Sequence, residues 1–432
     1  MVKKKYYAQF QQAVYQQTLE NGLDVVLIPQ QGFKKTYAIL TTNYGAVDNR
    51  FVPIQQDQLV TVPAGIAHFL EHKMFEKADH DAFDLFGQFG ADANAFTSYT
   101  QTSYQFSTAQ QFAKNLSILL DFVQDPYFSR AGVKKEQGII GQEIRMYNDN
   151  SDSRLYTGTI ANLYPADPMK NDIAGTEESI KKITPELLMQ CYQTFYQPSN
   201  LRLVVVGNLD VEQTLGVIEQ CEKDRQQVAR KIQRGPLIQD VQGNDIIANG
   251  SIRMPIGRPK AMVGIRGLSQ YPDARKRLKY KLACELMLEL LFDDTTTNYL
   301  DLYNQQIIDD SFGFSFEMER GFHFATISSD TDDPARFFNA IQKIARHAKE
   351  NLAKMDAEFE KTKRGAMGRL IMSLNLPEMI ANRYASSLFG ELNIFDELEI
   401  LRLLTLGDVY DACQQLLGPH RFTNFTVQPE KM

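Results

Sequence analysis

No apolar run in this 432-residue sequence approaches the ~20 residues that a membrane-spanning helix requires. The opening segment MVKKKYYAQFQQAVYQQ is basic but lacks the apolar stretch of ~7–15 residues that a secretory signal needs. Cysteine is scarce, and Cys191, Cys221, Cys284 and Cys413 are scattered without a CxxC spacing. That pattern argues against a disulfide framework and against thiolate zinc ligation, and predicts reduced, mostly buried cysteines in a cytoplasmic protein. Positive charge is also short: 46 Lys and Arg against 53 Asp and Glu leave a net charge of −7. With no basic stripe to offset it, nucleic acid is not expected as a partner. The two local basic runs, Lys3-Lys4-Lys5 and the stretch from Lys223 to Arg234, read as solvated surface or linker. No biased tract suggests disorder, and 43% hydrophobic with 23% charged residues is the composition of a globular protein.

What is present is enough chain for two or more domains. Such a chain fills a core without staples, so a metal site in it is expected to be catalytic rather than structural. Gly22 to Pro29 and Thr36 to Tyr44 read as strands, and Pro63 opens a helical pattern from Ala64 to Glu76. Phe96 to Ser107 alternates aromatic and hydroxyl residues with period two and reads as a strand. Helical patterns follow at 110–123, 131–147, after Ser151, after Pro185 and at 211–221, with a strand at 201–206. A similar order recurs: strand 262–267, helix 274–292, strands 312–319 and 322–328, helices near 334–350, 355–373 and 377–389, and a last strand near 422–427. Phe89-Gly90 and Phe312-Gly313 set the registration. The pattern predicts two copies of one α+β unit: 1–222, a polar linker 223–249, and 250–432.

The two copies differ in one respect that matters. Where the first carries His68-Phe69-Leu70-Glu71-His72, the second carries the apolar helix CELMLELLF, Cys284 to Phe292, with no histidine. Histidines at i and i+4 of a helix project from one face, within reach of a single zinc ion at ~2.0–2.1 Å from each nitrogen. Glu71 can stand beside such an ion without ligating it and take a proton from water. This is the inverted order of the HExxH motif. His80, His323, His347 and His420 have no such company and read as surface or packing residues. A third ligand is expected on the helix KKEQGIIGQEIRMYND, Lys134 to Asp149, where Glu136 and Glu143 lie two turns apart on one face with Ile139 and Ile140 between. Helix geometry alone leaves the choice between the two glutamates open.

HFLEH followed by a helix with two acids seven apart resembles the pitrilysin (inverzincin) family of zinc metallopeptidases. The resemblance extends to Gly90-Ala91-Asp92-Ala93-Asn94-Ala95-Phe96-Thr97, to Gln142-Glu143-Ile144, and more weakly through Gly175-Thr176 and Tyr196 to Asn200 as far as Val206-Gly207-Asn208-Leu209. It covers most of the first half, and the second half matches in length and element order. The resemblance implies a processing-peptidase/LuxS-like metallohydrolase fold, with two tandem homologous domains that each pack helices on a mainly antiparallel sheet. It implies one zinc ion per chain held by His68, His72 and Glu143, with Glu136 supporting the site from outside the ligand set. Asn94 and Ala95 would lie on an edge strand that pairs with an extended peptide.

The expected activity is zinc-dependent endopeptidase action on extended peptides or unfolded polypeptides, with Glu71 as general base. The alternative is a non-catalytic subunit of a peptidase heterodimer that serves as scaffold or substrate-binding partner. Short two-domain bacterial members of the processing-peptidase type imply a homodimer, or a heterodimer with a related subunit. The Arg/Tyr pair that assists substrate binding in several members has no specific match here, and Arg258, Arg266, Arg383 and Tyr384 are the available residues.

Overall fold

The β-branched runs of the sequence become strands that bury side chains on both faces where the sheet is covered on both sides, as in Thr36–Thr42 and Leu201–Gly207, and the runs with helical spacing become the helices that cover them. The computed structural model describes residues 2–54, 56–223, 225, 231–238, 242–385, 390 and 392–430. It divides into two compact units, neither continuous in sequence. The first comprises Met1–Ile144, Asp172–Pro236 and Met372–Ser387, and the second Arg145–Asn171, Leu237–Ile371 and Leu388–Met432.

The first unit is built on a sheet whose strands run, edge to edge, Lys3–Tyr7, Gln12–Thr18, Asp24–Pro29, Leu201–Gly207, Thr36–Thr42, Thr102–Thr108 and Ala91–Thr97. Asp24–Pro29 and Leu201–Gly207 are parallel, and every other neighbouring pair is antiparallel. In the second unit the order is Asn249–Met254, Phe422–Pro429, Lys260–Arg266, Phe322–Asp330 and Gly313–Glu319. There Asn249–Met254 and Phe422–Pro429 are parallel, and the other pairs are antiparallel. Taken in chain order, both sheets place their equivalent strands as first, fifth, second, fourth and third. The chain is therefore an α+β protein made of two tandem homologous domains.

Each sheet is covered in part by a helix from the other half of the sequence. In the first unit Pro377–Ala385 lies on the strands 36–42 and 201–207 and buries Ile380 and Ala381. In the second unit Ser151–Leu163 lies on the equivalent strands 260–266 and 422–429. Small residues permit this second contact. A Cβ added at Gly158 would sit 2.2 Å from Cζ of Phe425, and one at Gly264 would sit 2.6 Å from Cγ2 of Thr159.

Several expectations need correcting. The strand read at 96–107 is a hairpin, Ala91–Thr97 and Thr102–Thr108, with its turn at 98–101. Ser98 makes that turn, since its hydroxyl accepts from the amides of Thr100 and Gln101 at 3.2 Å each, a local bond that period-two counting does not register. The Lys3–Lys5 run is solvated as expected, but it is also one edge strand of the first sheet. Within the polar stretch 223–249, Gln233–Arg234 pairs with Phe51 and Val52, and Arg234 donates to Asp48 at 2.8 Å. Residues 224, 226–230 and 239–241 of that stretch, and 386–389 of the helix expected at 377–389, lie outside the described residues. Arg258 and Arg266 are both engaged in ion pairs: Arg258 bonds Asp332 at 2.8 Å and also Asp309, and the buried Arg266 bonds Asp245 at 2.8 Å.

Two outcomes test the packing of the second unit. Gly158→Ala is expected to lower the unfolding free energy by about 1–3 kcal/mol, because overpacking against Phe425 outweighs the ~1 kcal/mol that alanine gains over glycine in a helix. A urea midpoint raised by this change would contradict the contact. His323 is buried beside the Tyr280 hydroxyl, 3.3 Å away, and burial holds its pKa down at about 4. The unfolded chain takes up that proton near pH 6.5 and the folded chain does not, so stability falls as pH drops from about 6.5 toward 4. His323→Phe is expected to lose less stability across that window than the parent protein, as read by denaturant unfolding at each pH.

Candidate metal centre

The helix Ile66–Phe75 begins where two glycines meet. Gly65 adopts a left-handed φ of 88°, and a Cβ there would lie 2.3 Å from the Ala174 carbonyl oxygen. Gly175, at φ 79°, would bring its own Cβ within 2.6 Å of the Ala64 carbonyl. That carbonyl also accepts from the Ser179 hydroxyl at 2.8 Å. With its start pinned, the helix buries Ile66, Ala67, Phe69, Leu70, Met74 and Phe75 and leaves the two imidazoles on a less enclosed face.

The helix Arg130–Asp149 approaches this one through Gly132, where a Cβ would lie 2.4 Å from a Glu76 carboxylate oxygen and 2.8 Å from Nζ of Lys73. Lys73 is fully buried and ion-paired with Glu76. From Gly132 onward the buried stripe runs Val133, Glu136, Ile140, Ile144, with Glu143 half-buried beside it. Of the two isoleucines between the glutamates, Ile140 is buried and Ile139 is 44% exposed. Both acids therefore face the histidines.

His68, His72 and Glu143 each bring one ligand atom into a group whose members all lie within 4.8 Å of one another. Nε2 of His68 is 3.6 Å from one Glu143 oxygen, and Nε2 of His72 is 3.7 Å from the other. These separations are too long for hydrogen bonds. They are close to the edge, about 3.4 Å, of a tetrahedron drawn around an ion with donors at ~2.0–2.1 Å. The donor set of two imidazoles and a carboxylate fits zinc. Glu136 stands one step back and meets Nδ1 of His72 at 3.0 Å. That bond orients the ring and directs Nε2 toward Glu143.

The electrostatics of the two histidines diverge. Burial, reinforced by the neighbouring His72, lowers the His68 pKa to about 3, so this imidazole is neutral and has a lone pair to offer. At His72 burial pushes the pKa down, but the bond to Glu136 and the charges of Glu71, Glu136 and Glu143 outweigh it, and the net shift is upward. Glu71 is buried at the edge of the group, and burial raises its pKa against the opposing hydrogen bond from Thr97. Thr97 closes the segment Gly90–Thr97 that carries the resemblance, but no spacing pairs it with Glu71, 26 positions away, which it reaches only through the fold.

Asn94 and Ala95 lie on Ala91–Thr97, the terminal strand of the first sheet at the end opposite Lys3–Tyr7. Asn94 is exposed, and its side-chain oxygen accepts from the Ala95 amide at 2.8 Å. In the second unit the helix Ala274–Phe292 packs on the equivalent strand Gly313–Glu319. There Cys284, Leu286, Met287, Leu288, Leu290, Leu291 and Phe292 are all buried, so apolar packing occupies the place where the first unit has its histidines.

Comparison with known proteins bears on the family and the fold. Residues 62–177 match the insulinase (peptidase family M16) model, and residues 182–366 match the model of the peptidase M16 inactive domain. YmfH of Bacillus subtilis, described as an uncharacterized zinc protease, is 42% identical over 432 residues, which is all of both chains. The chain belongs to the M16, or pitrilysin-type, peptidase family. YmxG of Bacillus subtilis, also described as an uncharacterized zinc protease, is 30% identical over 166 residues, 36% of this chain and 41% of its own. Among solved structures, an M16-like peptidase from Alicyclobacillus acidocaldarius superposes with a TM-score of 0.88 at 31% identity, covering 97% of this chain and 99% of that one. A protease from Helicobacter pylori shares the fold, with a TM-score of 0.82 at 17% identity over 96% of this chain and 99% of its own. No described helix is long and apolar enough to cross a membrane.

If Glu136 orients His72, Glu136→Ala is expected to weaken zinc binding by about 10- to 100-fold, with a smaller loss for Glu136→Gln, which keeps an acceptor. Competition against a chromogenic chelator measures this directly. Unchanged affinity in the alanine variant would show that the bond does not support the site.

Proposed function

We propose that the chain is a zinc-dependent endopeptidase that cleaves extended peptides or unfolded polypeptides, with one zinc ion per chain held by His68, His72 and Glu143. The observation that carries this reading is the convergence of those three donors beside a buried carboxylate, Glu71, that bonds to neither histidine. Bound there, zinc would supply Lewis acidity, which acidifies water and polarises a peptide carbonyl.

The remaining work falls to the chain's own groups. Glu71 takes the proton of the attacking water and delivers it to the leaving amine, and its raised pKa makes it a stronger base than a solvated glutamate. Glu136 keeps His72 in one orientation. The backbone of Ala91–Thr97, a sheet-end strand, suits main-chain pairing with an extended substrate, and Asn94 and Ala95 are the contacts assigned to it. Main-chain pairing favours a peptide over other hydrolysable substrates.

The four cysteines are free, as suits a reducing cytoplasm. A second subunit, identical or related, is the expected partner. The alternative is a non-catalytic scaffold subunit; against it, such subunits usually lose a ligand or the base, and this chain keeps His68, His72, Glu143 and Glu71.

The deciding experiment incubates the purified chain with a peptide mixture, with and without chelator, and reads cleavage by mass spectrometry. Glu71→Gln is expected to retain zinc and to lose turnover by about 100-fold or more. Cleavage at the parental rate by this variant would remove Glu71 from the mechanism. Stoichiometric zinc with no cleavage in any arm would favour the scaffold reading.

A further inference from the structure

The hydroxyl of Thr97 reaches Glu71 at 2.6 Å, and the bonds around it fix the direction of that contact. The other oxygen near Thr97 is the hydroxyl of Thr102, 3.4 Å away. Thr102 spends its own single proton on the Tyr44 carbonyl, at 2.9 Å. The Thr97 proton therefore has one charged acceptor at short range and one poor neutral acceptor at long range, and it goes to the carboxylate. One oxygen of Glu71 is thereby engaged, and the other is left to act.

Thr97 is itself held firmly. It ends the strand Ala91–Thr97 and pairs with Thr102 across the hairpin. The turn between them is closed by the Ser98 amide donating to the Gln101 carbonyl at 2.8 Å. It is tied to a neighbouring loop by the amides of Ala46 and Val47, which donate to Ser98 and Tyr99 carbonyls at 3.1 and 2.9 Å. Gly45 allows that approach, since a Cβ there would lie 2.5 Å from the Tyr99 and Thr100 backbone. A β-branched side chain on such a backbone has little rotamer freedom.

We propose that Thr97 is a positioning residue for the general base: it locks one carboxylate oxygen of Glu71 so that the other faces the substrate water. This rests on the assignment of Glu71 as base made above. It also links two parts of the site, because the strand offered to the substrate ends in the residue that sets the base.

Thr97→Val keeps the shape and removes the proton, and Thr97→Ser keeps the proton. Thr97→Val is expected to lower kcat by about 10- to 100-fold with KM within about threefold of the parent, while Thr97→Ser stays within about threefold in kcat. Both should bind zinc as the parent does, which separates positioning from loss of the fold or the metal. Adding Thr97→Val to Glu71→Gln should cost nothing more, since the residue acts only through Glu71. Quenched-fluorescence peptides chosen from the mixture assay serve as substrate.

Crystal structures of metal-free parent and Thr97→Val give a readout that needs no turnover, and the Glu71 carboxylate should leave its parental orientation in the variant. A parental kcat in Thr97→Val, a further tenfold loss in the double variant, or an unmoved carboxylate would each overturn the proposal. Failure of the Glu71 assignment is distinct, because it appears in Glu71→Gln alone.

Discussion

The first unit's candidate site depends on how closely two helices approach at Gly132. Any side chain there would collide with the Lys73–Glu76 ion pair, so the absence of one allows Arg130–Asp149 to settle against Ile66–Phe75. The settled distance is transmitted along a rigid helix. One turn on, Glu136 meets His72, and two turns beyond that Glu143 lies between both imidazoles. A fully buried lysine is tolerable in such a place only because it is paired. The geometry of the candidate metal site is thus a consequence of helix packing, with the His68, His72 and Glu143 side chains at the end of the chain of causes.

Around that contact the site is layered by chemistry. The innermost donors are a neutral imidazole, a second imidazole held by a carboxylate, and a half-buried glutamate. Outside them Glu71 is buried and is held by a hydroxyl from the sheet. The sheet contributes both that hydroxyl and the strand proposed to receive substrate, so one hairpin serves two purposes. The second unit repeats the order and pairing directions of those five strands, but the buried face of its equivalent helix is apolar in the corresponding turns and the helix carries no histidine. One sheet plan therefore accommodates either a candidate metal-binding face or an ordinary core.

Much of the fold was legible in the sequence because its signals are local. Ala274–Phe292 has the limits that its periodicity implied, and the strands near 24–29, 36–42 and 201–207 lie where β-branched runs predicted them. Hairpins were less legible. The period-two pattern runs from Phe96 to Ser107 without a break because Ser98, Thr100 and Gln101 turn the chain with bonds that leave the alternation intact. The helices Ser151–Leu163 and Pro377–Ala385 were visible as helices, yet no local signal says which sheet each one covers. That assignment rests on close approaches such as Gly158 to Phe425, between residues far apart in the chain.

By itself the sequence determined the chemistry on offer: two imidazoles one helical turn apart, a glutamate before the second, two acids on a later helix, and a second half without histidine. These are statements about spacing within one helix, which backbone geometry enforces regardless of surroundings. Periodicity alone left Glu136 and Glu143 equivalent. The tertiary structure separates them, because only the packing at Gly132 sets which acid lies between the imidazoles and which lies behind His72. It alone also joined Thr97 to Glu71, a contact between a strand and a helix whose residues lie 26 positions apart.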